Sequence, residues 1–369
     1  MNVSSKETAQ RSISAVDLFC GIGGMTHGLQ QADIKVNAGI DIDKTCKYAY
    51  EKNNRTRFIC EDIRSVTNTG LAALYPENDI KLLVGCAPCQ PFSSHTRKNK
   101  SRISDEKWGL LAYMTKLIEH VKPEMVAIEN VPSIRKQKVF TDFVAKLKSL
   151  EYHVFCDSVS CPDYGIPQTR RRLVLIASIF GKAFLIPKTH QNLQNETLGF
   201  TGLSTYQTVR ETIGDLEKIT HGQVSKKDPL HRARKLKKVN QERIKQSRPG
   251  GTWLDWDPDL RAPCHKKGSG QTYKSVYARM EWDKPAPTVT TQFYNFGTGR
   301  FGHPEQDRGL SLREGALLQT FPKDYDFINP THPVSFTRLG IHIGNAVPVQ
   351  LATVIGQSIR KHLENINHE

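Results

Sequence analysis

Three groups of side chains in this sequence could take part in one reaction. Cys89 stands in a Pro-Cys-Gln string, Glu129 follows an apolar run, and three consecutive arginines occupy 170–172. A thiolate is a strong nucleophile, a carboxylate can exchange a proton, and guanidinium groups stabilise negative charge. A free cysteine is equally well a small buried hydrophobe. The pattern alone therefore leaves both readings of Cys89 open.

A glycine-rich string lies near the start of the chain. Asp17-Leu18-Phe19-Cys20-Gly21-Ile22-Gly23-Gly24 follows a predicted strand and precedes a predicted helix. Glycine there allows the backbone to approach a ligand closely. Asp41 ends the next strand about 20 residues later, where dinucleotide-type folds place an acid on ribose hydroxyls. Asp62 ends the following segment and could meet a base or an amino group. A nicotinamide cofactor stays open, although the third glycine of that fingerprint is absent.

The first half of the chain alternates strand-like and helix-like segments, which predicts an α/β fold with a doubly wound, mostly parallel sheet. Cys89 then follows a strand at the carboxyl edge of the sheet, where such folds place their chemistry. The predicted strands are Val16–Phe19, Val36–Ile40, Leu82–Val84, Met125–Ile128, Val154–Val159 and Leu173–Ala177. The predicted helices are Met25–Gln31, Asp43–Lys52, Leu110–His120, Leu312–Phe321 and Val349–Leu363.

The bulk composition favours a nucleic-acid partner and a reducing compartment. The chain has 369 residues, a net charge of +15 from 52 basic and 37 acidic residues, and ten Lys or Arg within 226–248. Such a field attracts polyanions. The eight cysteines are scattered rather than framing a small domain. Cys86 and Cys89 form a C-x-x-C pair, but no second pair at zinc-ligand spacing follows.

We expect no export and no membrane span. The polar N-terminus lacks the apolar core of a signal peptide, and no stretch approaches the roughly 18 apolar residues of a membrane helix. After about Phe180 the periodicity fades and the sequence becomes rich in Lys, Arg, Gly and Pro. This change predicts a second, loop-rich domain.

Eight motifs in one order resemble the bacterial-type DNA (cytosine-5) methyltransferases, which use S-adenosylmethionine, and the resemblance runs from Asp17 to about Ile359. The motifs are D-L-F-C-G-I-G-G-M, G-C-A-P-C-Q-P-F-S, E-N-V, Q-T-R-R-R, P-T-V-T-T, G-R-F-G-H-P, L-R-E-G-A-L-L-Q-T-F-P and G-N-A-V-P. The resemblance implies a Rossmann-like class I methyltransferase fold with a smaller, loop-rich target-recognition domain. It implies a catalytic domain at 1–183 completed by 336–369, and a small domain at 184–335 whose variable part is about 192–285.

The same resemblance assigns roles to individual residues. Cys89 is the nucleophile that adds to C6 of cytosine, and Glu129 contacts N3 and the exocyclic amine. Arg172 and Arg170 stabilise the thiolate and the charge that develops on the base. The implied cofactor residues are Phe19, Gly21, Ile22, Gly24, Asp41, Ile42, Asp62, Ile63, Pro88, Leu110, Asn345, Ala346 and Val347. The DNA-binding residues expected are Gln90, Ser93, Arg97, Lys98, Arg171, Lys235 and Lys237.

Three positions depart from the family pattern without removing a catalytic group. Cys20 stands where alanine is common, Ile42 where an aromatic residue often follows the ribose-binding acid, and His95 near a frequent glycine. The sequence therefore predicts a cytosolic, nucleoid-associated enzyme that acts as a monomer on double-stranded DNA. It would extrude its target cytosine and protect DNA from a companion nuclease. The alternatives are a transfer RNA cytosine-5 methyltransferase and a catalytically silent DNA-binding regulator.

Overall fold

The computed structural model describes residues 11–88, 103–192, 202–266 and 273–366, with side chains described from 109 onward in the second range. Its strands are β1 (Ile13–Leu18), β2 (Lys35–Asp41), β3 (Arg57–Cys60), β4 (Ile80–Gly85), β5 (Met125–Asn130), β6 (His153–Ser160), β7 (Arg171–Ser178), β8 (His190–Gln191) and β9 (Ser204–Thr205). Its helices are α1 (Gly24–Gln31), α2 (Lys47–Asn54), α3 (Asn68–Ala72), α4 (Ile103–Val121), α5 (Lys138–Ser149), α6 (Val209–Ile213), α7 (Lys238–Gln246), α8 (Leu312–Leu318), α9 (Phe336–Asn345) and α10 (Val349–Ile366).

Seven strands form one sheet in the order β3-β2-β1-β4-β5-β7-β6. The pairs from β3 to β5 are parallel, whereas β7 runs antiparallel to both β5 and β6. The chain therefore winds outward from β1 in both directions, and the loops after β1 and β4 meet at the carboxyl edge. The predicted α/β fold with a mostly parallel sheet is confirmed.

Helices cover the sheet on both faces, and the central strands are almost completely buried. Every residue of β5 is buried, and β1 and β4 are nearly so. Helix α1 packs against α10, and the contact requires Gly28, since a Cβ there would lie 2.3 Å from the Val349 carbonyl oxygen. Helices α3, α4 and α5 contribute buried leucine and phenylalanine side chains to a hydrophobic cluster that they form with the strands of the sheet.

Most of the predicted elements are present with shifted ends, and some elements were missed. The segment predicted as one helix at 43–52 is a 3-10 turn, Lys44–Cys46, followed by α2. Strand β3 escaped prediction because it has four residues, lies at the sheet edge and buries only one side chain. Helix α4 begins at Ile103 rather than Leu110.

The chain divides into two compact units. Among the described residues, the first unit holds 11–88, 103–160, 171–187 and 347–366, and the second holds 161–170, 188–192, 202–266 and 273–346. Helix α9 therefore groups with the second unit, whereas the sequence placed 336–369 as a whole with the catalytic domain. The segment 161–170, which precedes β7, also belongs to the second unit.

The second unit is held together by polar side chains because it contains little regular structure. Buried Gln168 donates to the Leu318 carbonyl and accepts from the Val289 backbone N–H. The Glu314 carboxylate caps α8 and receives both terminal nitrogens of Arg308, at 2.8 and 2.6 Å. Burial by itself raises the pKa of Glu314, but the Arg308 guanidinium outweighs burial and lowers it to about 2. The Gln168 side chain thus supplies hydrogen-bond partners to backbone groups of loops, which have no neighbouring strand to bond with.

One segment of the described chain has the length and composition of a membrane-spanning helix. The segment Phe336–Ile366 is long and apolar enough to cross a membrane by length and composition. However, 78% of its most apolar portion is buried in the protein, as in the core helices of a folded domain.

Replacing Glu314 with Gln should lower the free energy of unfolding by about 3–5 kcal/mol, because it leaves the Arg308 charge buried without a counter-ion. Chemical denaturation followed by tryptophan fluorescence measures this change. The control is Glu305→Gln. The ion pair of Glu305 with Lys218 is exposed, so this substitution should lower the free energy of unfolding by less than about 1 kcal/mol. Equal losses in the two variants would contradict a stabilising role for the buried pair.

Candidate active site

The turn between β1 and α1 is built for close approach of a ligand. Gly21 and Gly23 have φ angles of 51° and 91°, and Phe19 has a φ of 60°, so three residues in this turn adopt left-handed backbone. A Cβ placed on Gly21 would meet nothing within 4 Å, which leaves open space beside the turn. The strained, open turn is typical of a cofactor cradle.

Asp41 at the end of β2 ties the neighbouring loops together. Its Oδ2 accepts from the Gly21 backbone N–H at 2.9 Å, and its Oδ1 accepts from the Asp43 backbone N–H at 2.8 Å. Asp41 therefore orders the glycine turn at the carboxyl edge of the sheet.

Asp17 at the end of β1 is a buried acid with an unmatched oxygen. Its Oδ2 accepts from Thr26 Oγ1 at 2.7 Å, but its Oδ1 has no hydrogen-bond partner among the described residues. Burial raises the pKa of Asp17 to about 7; the Asp41 carboxylate adds to the rise and the Thr26 hydrogen bond opposes it. A buried carboxylate with a free oxygen beside a ligand cradle fits a cationic group.

The other expected cofactor residues of the first unit lie at or near the same edge. Asp62 accepts from Arg64, whose guanidinium lowers the pKa of that carboxyl, and Ile63 is buried. Ile42 is 65% exposed, and Pro88 and Leu110 are half-buried. Val347 is buried in this unit, whereas Asn345 and Ala346 belong to the second unit.

The strand that leads to Cys89 is fixed from two sides. The Cys86 backbone N–H donates to the Leu18 carbonyl, and Asn130 Nδ2 donates to the Ala87 carbonyl at 3.0 Å. Burial raises the pKa of the Cys86 thiol, as do the Glu129 and Asp17 carboxylates. Cys89 lies outside the described residues, as do Gln90, Ser93, His95, Arg97 and Lys98.

Glu129 and Arg172 form a buried ion pair at the carboxyl edge of the sheet. Arg172 Nε lies 2.7 Å from Glu129 Oε1, and the two side chains are 13% and 8% exposed. The geometry is a charge contact rather than an aligned hydrogen bond, because this oxygen has no partner of hydrogen-bond geometry in the described chain. The pair forms because β7 is antiparallel to β5, so the first residues of β7 lie beside the last residues of β5.

The remaining expected residues are spread over both units. Arg171 is exposed at the start of β7, in the first unit. Arg170 belongs to the second unit, where its Nη1 donates to the Val289 carbonyl at 3.0 Å. Lys235 and Lys237 are exposed in the second unit.

Two residues of the edge had no role in the sequence predictions, although both stand in the motifs. Asp17 opens the glycine string, and the signal was an acid that ends an apolar strand immediately before the turn. Asn130 follows Glu129, and its contact with the Ala87 carbonyl depends on the parallel pairing of β4 with β5. That pairing is a tertiary feature, so only the E-N-V string itself marked the position.

Residues 13–361 match the family model described as C-5 cytosine-specific DNA methylase. The chain is 50% identical over 357 residues to Type II methylase M.HgiDII of Herpetosiphon aurantiacus, covering 96% of this chain and 97% of the relative. It is 28% identical to Type II methyltransferase M1.BsuMI of Bacillus subtilis (strain 168), covering 96% of this chain and 82% of the relative.

Solved structures share the fold. The methyltransferase EhMeth of Entamoeba histolytica superposes with a TM-score of 0.62 at 17% identity, covering 96% of this chain and 99% of that chain. Spodoptera frugiperda DNMT2 superposes with a TM-score of 0.60 at 17% identity, covering 97% and 100%. With its family motifs carried on this fold, the chain belongs to the C-5 cytosine-specific DNA methylases, enzymes that take their methyl group from S-adenosylmethionine.

Proposed function

We propose that this enzyme methylates C5 of an extruded cytosine within one short double-stranded DNA sequence, through a covalent bond between Cys89 and C6 of the base. The observation that supports the proposal most strongly is the buried Glu129–Arg172 pair. It lies at the sheet edge where β4 ends, and in the sequence Pro88 and Cys89 follow the last residue of β4 by three and four positions. A proton-exchanging carboxylate and a fixed cation are what attack on a pyrimidine ring requires.

The residues divide the chemistry between them. The Cys89 thiolate forms a bond to C6, the C5–C6 double bond opens, and C5 becomes nucleophilic. Glu129 holds a proton at N3, which offsets the negative charge that the ring gains. Arg172 keeps Glu129 in place and stabilises charge on the O2 side of the base, a role that Arg170 shares. Once C5 has gained its methyl group from the cofactor, loss of the C5 proton and departure of Cys89 restore the aromatic ring.

S-adenosylmethionine supplies an electrophilic methyl group when it is bound. The residues present fit it: the glycine turn offers open space, the Asp41 carboxylate borders that turn, where it would bind ribose hydroxyls, and Asp17 Oδ1 is an unmatched buried acceptor for the ammonium group. Phe19, Asp62 and Ile63 are the residues that we propose for binding the adenine. Asn345, Ala346 and Val347 complete the cofactor residues that we propose.

The cytosine must leave the duplex for this reaction, because a stacked base cannot be reached on both faces of its ring. Contacts to the DNA backbone fall to basic residues in both units. We propose that Arg171, Lys235 and Lys237, which are exposed, make such contacts. Gln90, Ser93, Arg97 and Lys98 are proposed from the family motif alone.

The biological role that we propose is protection of DNA in a restriction-modification system. The support is the 50% identical relative, which is named a type II methylase and aligns over 97% of its own length. The enzyme would act as a monomer in the bacterial cytosol, associated with the nucleoid and without an obligate protein partner.

Expression in a host that lacks cytosine methylation tests the proposed function. The expected result is 5-methylcytosine at every copy of one short genomic motif, and none when the Cys89→Ala variant is expressed. Sequencing of the host's transfer RNA after bisulfite treatment is the parallel arm. Methylation confined to transfer RNA, or DNA binding with no methylation, would contradict the proposal.

Glu129→Gln should lower kcat by about 10²–10⁴-fold, because the amide cannot hold the proton at N3. Arg172→Met should lower kcat by a comparable factor. The double variant should lower kcat by much less than the product of the two single factors. Single-turnover methylation of a duplex measures these rates. Affinity for S-adenosylmethionine is the control and should change less than about threefold. Independent, multiplicative losses would show that the two residues do not act as a unit.

The affinity for S-adenosylmethionine should rise about tenfold between pH 5.5 and pH 7, because a cofactor cation favours the ionised form of Asp17, whose pKa is about 7 in the free protein. Asp17→Asn should bind more weakly at pH 7 and lose this pH dependence. Titration calorimetry at each pH measures the affinity. The control is Asp33→Asn. The Asp33 carboxylate is exposed, so this variant should show the same dependence of cofactor affinity on pH as the wild type.

The same carboxyl group affects stability in the absence of cofactor. Between about pH 4 and pH 7 the folded protein keeps the Asp17 proton that the unfolded chain has lost, so stability falls as the pH rises through this range. Asp17→Asn should remove this contribution to the slope. An unchanged slope would mean that Asp17 titrates near its ordinary value.

A further inference from the structure

Two arginines of the second unit lie over a pair of adjacent aromatic rings. The Arg232 guanidinium is 5.5 Å from the centre of the Phe336 ring, and the Arg234 guanidinium is 5.9 Å from the centre of the Tyr294 ring. The two rings contact each other edge to face, with their centres 5.1 Å apart. The arginines are two residues apart on extended chain, so their side chains share a face. We call these four residues the arginine platform.

Among the residues that the structure describes, no acid pairs with either arginine of this platform. The Arg232 side chain makes no hydrogen bond or ion pair with the described residues, and its buried Nε has no acceptor. Arg234 donates to a neutral group, the Asn295 amide oxygen, at 2.6 Å. Burial lowers the pKa of Arg232, and no carboxylate offsets that effect. A half-buried cation without a partner costs free energy.

The other arginines of this unit show that the platform is unusual. Arg308, Arg313 and Arg279 are buried and each has a carboxylate partner, on Glu314, Asp228 and Asp307 respectively. Exposed Arg210 also lies over an aromatic ring, that of Trp282 at 5.3 Å, but it is paired with Asp283. Arg243 is also buried over aromatic rings without a carboxylate, but it donates to the Leu260 carbonyl and to the Asn240 amide oxygen. Arg232 differs from all of these in making neither a hydrogen bond nor an ion pair within the described chain, which leaves its N–H groups available to an anionic ligand.

We propose that the arginine platform binds a phosphodiester of the DNA substrate, with Arg232 and Arg234 donating to the phosphate oxygens. A planar guanidinium held against a ring is oriented for two-point donation to phosphate. The aromatic pair limits the rotation of both side chains, so less conformational entropy is lost on binding. The Asn295 amide holds Arg234, and Asn295 is itself held through Gln292 Oε1 at 3.1 Å.

This inference rests on the proposed function, because it takes the DNA duplex as the ligand. It goes further in assigning a backbone contact to two arginines that no motif singled out. A phosphate contact positions the duplex and carries no sequence information of its own. Loss of the platform should therefore weaken binding to cognate and non-cognate DNA by the same factor.

Arg232→Met tests the proposal, since methionine keeps an aliphatic side chain against Phe336 and removes the charge. The slope of log Kd for a duplex against log of salt concentration should fall in magnitude by about one, as for one lost phosphate contact. Arg210→Met is the matched control and should leave the slope unchanged. Arg234→Met, at an exposed position, is the second variant should Arg232→Met fail to fold.

A duplex series in which each phosphate in turn is a neutral methylphosphonate locates the contact. At one position, neutralisation should weaken binding by wild type and by Arg210→Met about tenfold, and by Arg232→Met less than twofold. Neutralisation effects that are the same in Arg232→Met and wild type at every position would overturn the proposal. A wild type that methylates no DNA would instead indicate failure of the proposed function. Loss of binding to an unmodified duplex with an unchanged salt slope would assign Arg232 a structural role.

Discussion

The arrangement of the active site depends on one antiparallel strand. Because β7 runs against β5, its first residues return to the carboxyl edge of a sheet that is otherwise parallel up to that point. Arg172 thereby reaches Glu129, and the two form an ion pair in which the side chains are 13% and 8% exposed. A parallel strand in the same place would end, rather than begin, at this edge, and the arginine would lie at the opposite side of the sheet. The reversal brings a basic motif to an acid 43 positions earlier in the chain.

The same edge of the sheet brings several carboxylates close to one another, with Arg172 as the cation beside one of them. Asp17 and Asp41 are close enough to raise the pKa of Asp17, and Glu129 and Asp17 act together on the Cys86 thiol. An edge of this kind favours cationic ligands at the end of β1 and a fixed guanidinium at the end of β5. The second unit is stabilised differently, because buried polar side chains such as Gln168 and Glu314 hold its loops in place.

Much of this could be predicted from the sequence where the signal was local. Apolar runs bounded by turn residues gave β1, β4 and β5, and the ordered motifs gave the family. What escaped prediction depended on tertiary contacts. Strand β3 has only four residues and lies at the sheet edge. The boundary between the units separates Arg170 from Arg172, and the unmatched oxygen of Asp17 is visible only once its neighbours are placed. The Arg232–Phe336 contact joins residues over 100 positions apart, which no local pattern reports.

The central claim is that the side chains at this edge act on a base held covalently by Cys89. A duplex carrying 5-fluorocytosine tests it most directly, because C5 then has no proton to lose and the thiol cannot depart after methyl transfer. Incubation with S-adenosylmethionine, followed by proteolysis and mass spectrometry, should recover a methylated fluoropyrimidine bonded to the peptide that contains Cys89. Methylation of ordinary DNA with no adduct on the fluorinated duplex, or an adduct at another cysteine such as Cys86, would contradict the account.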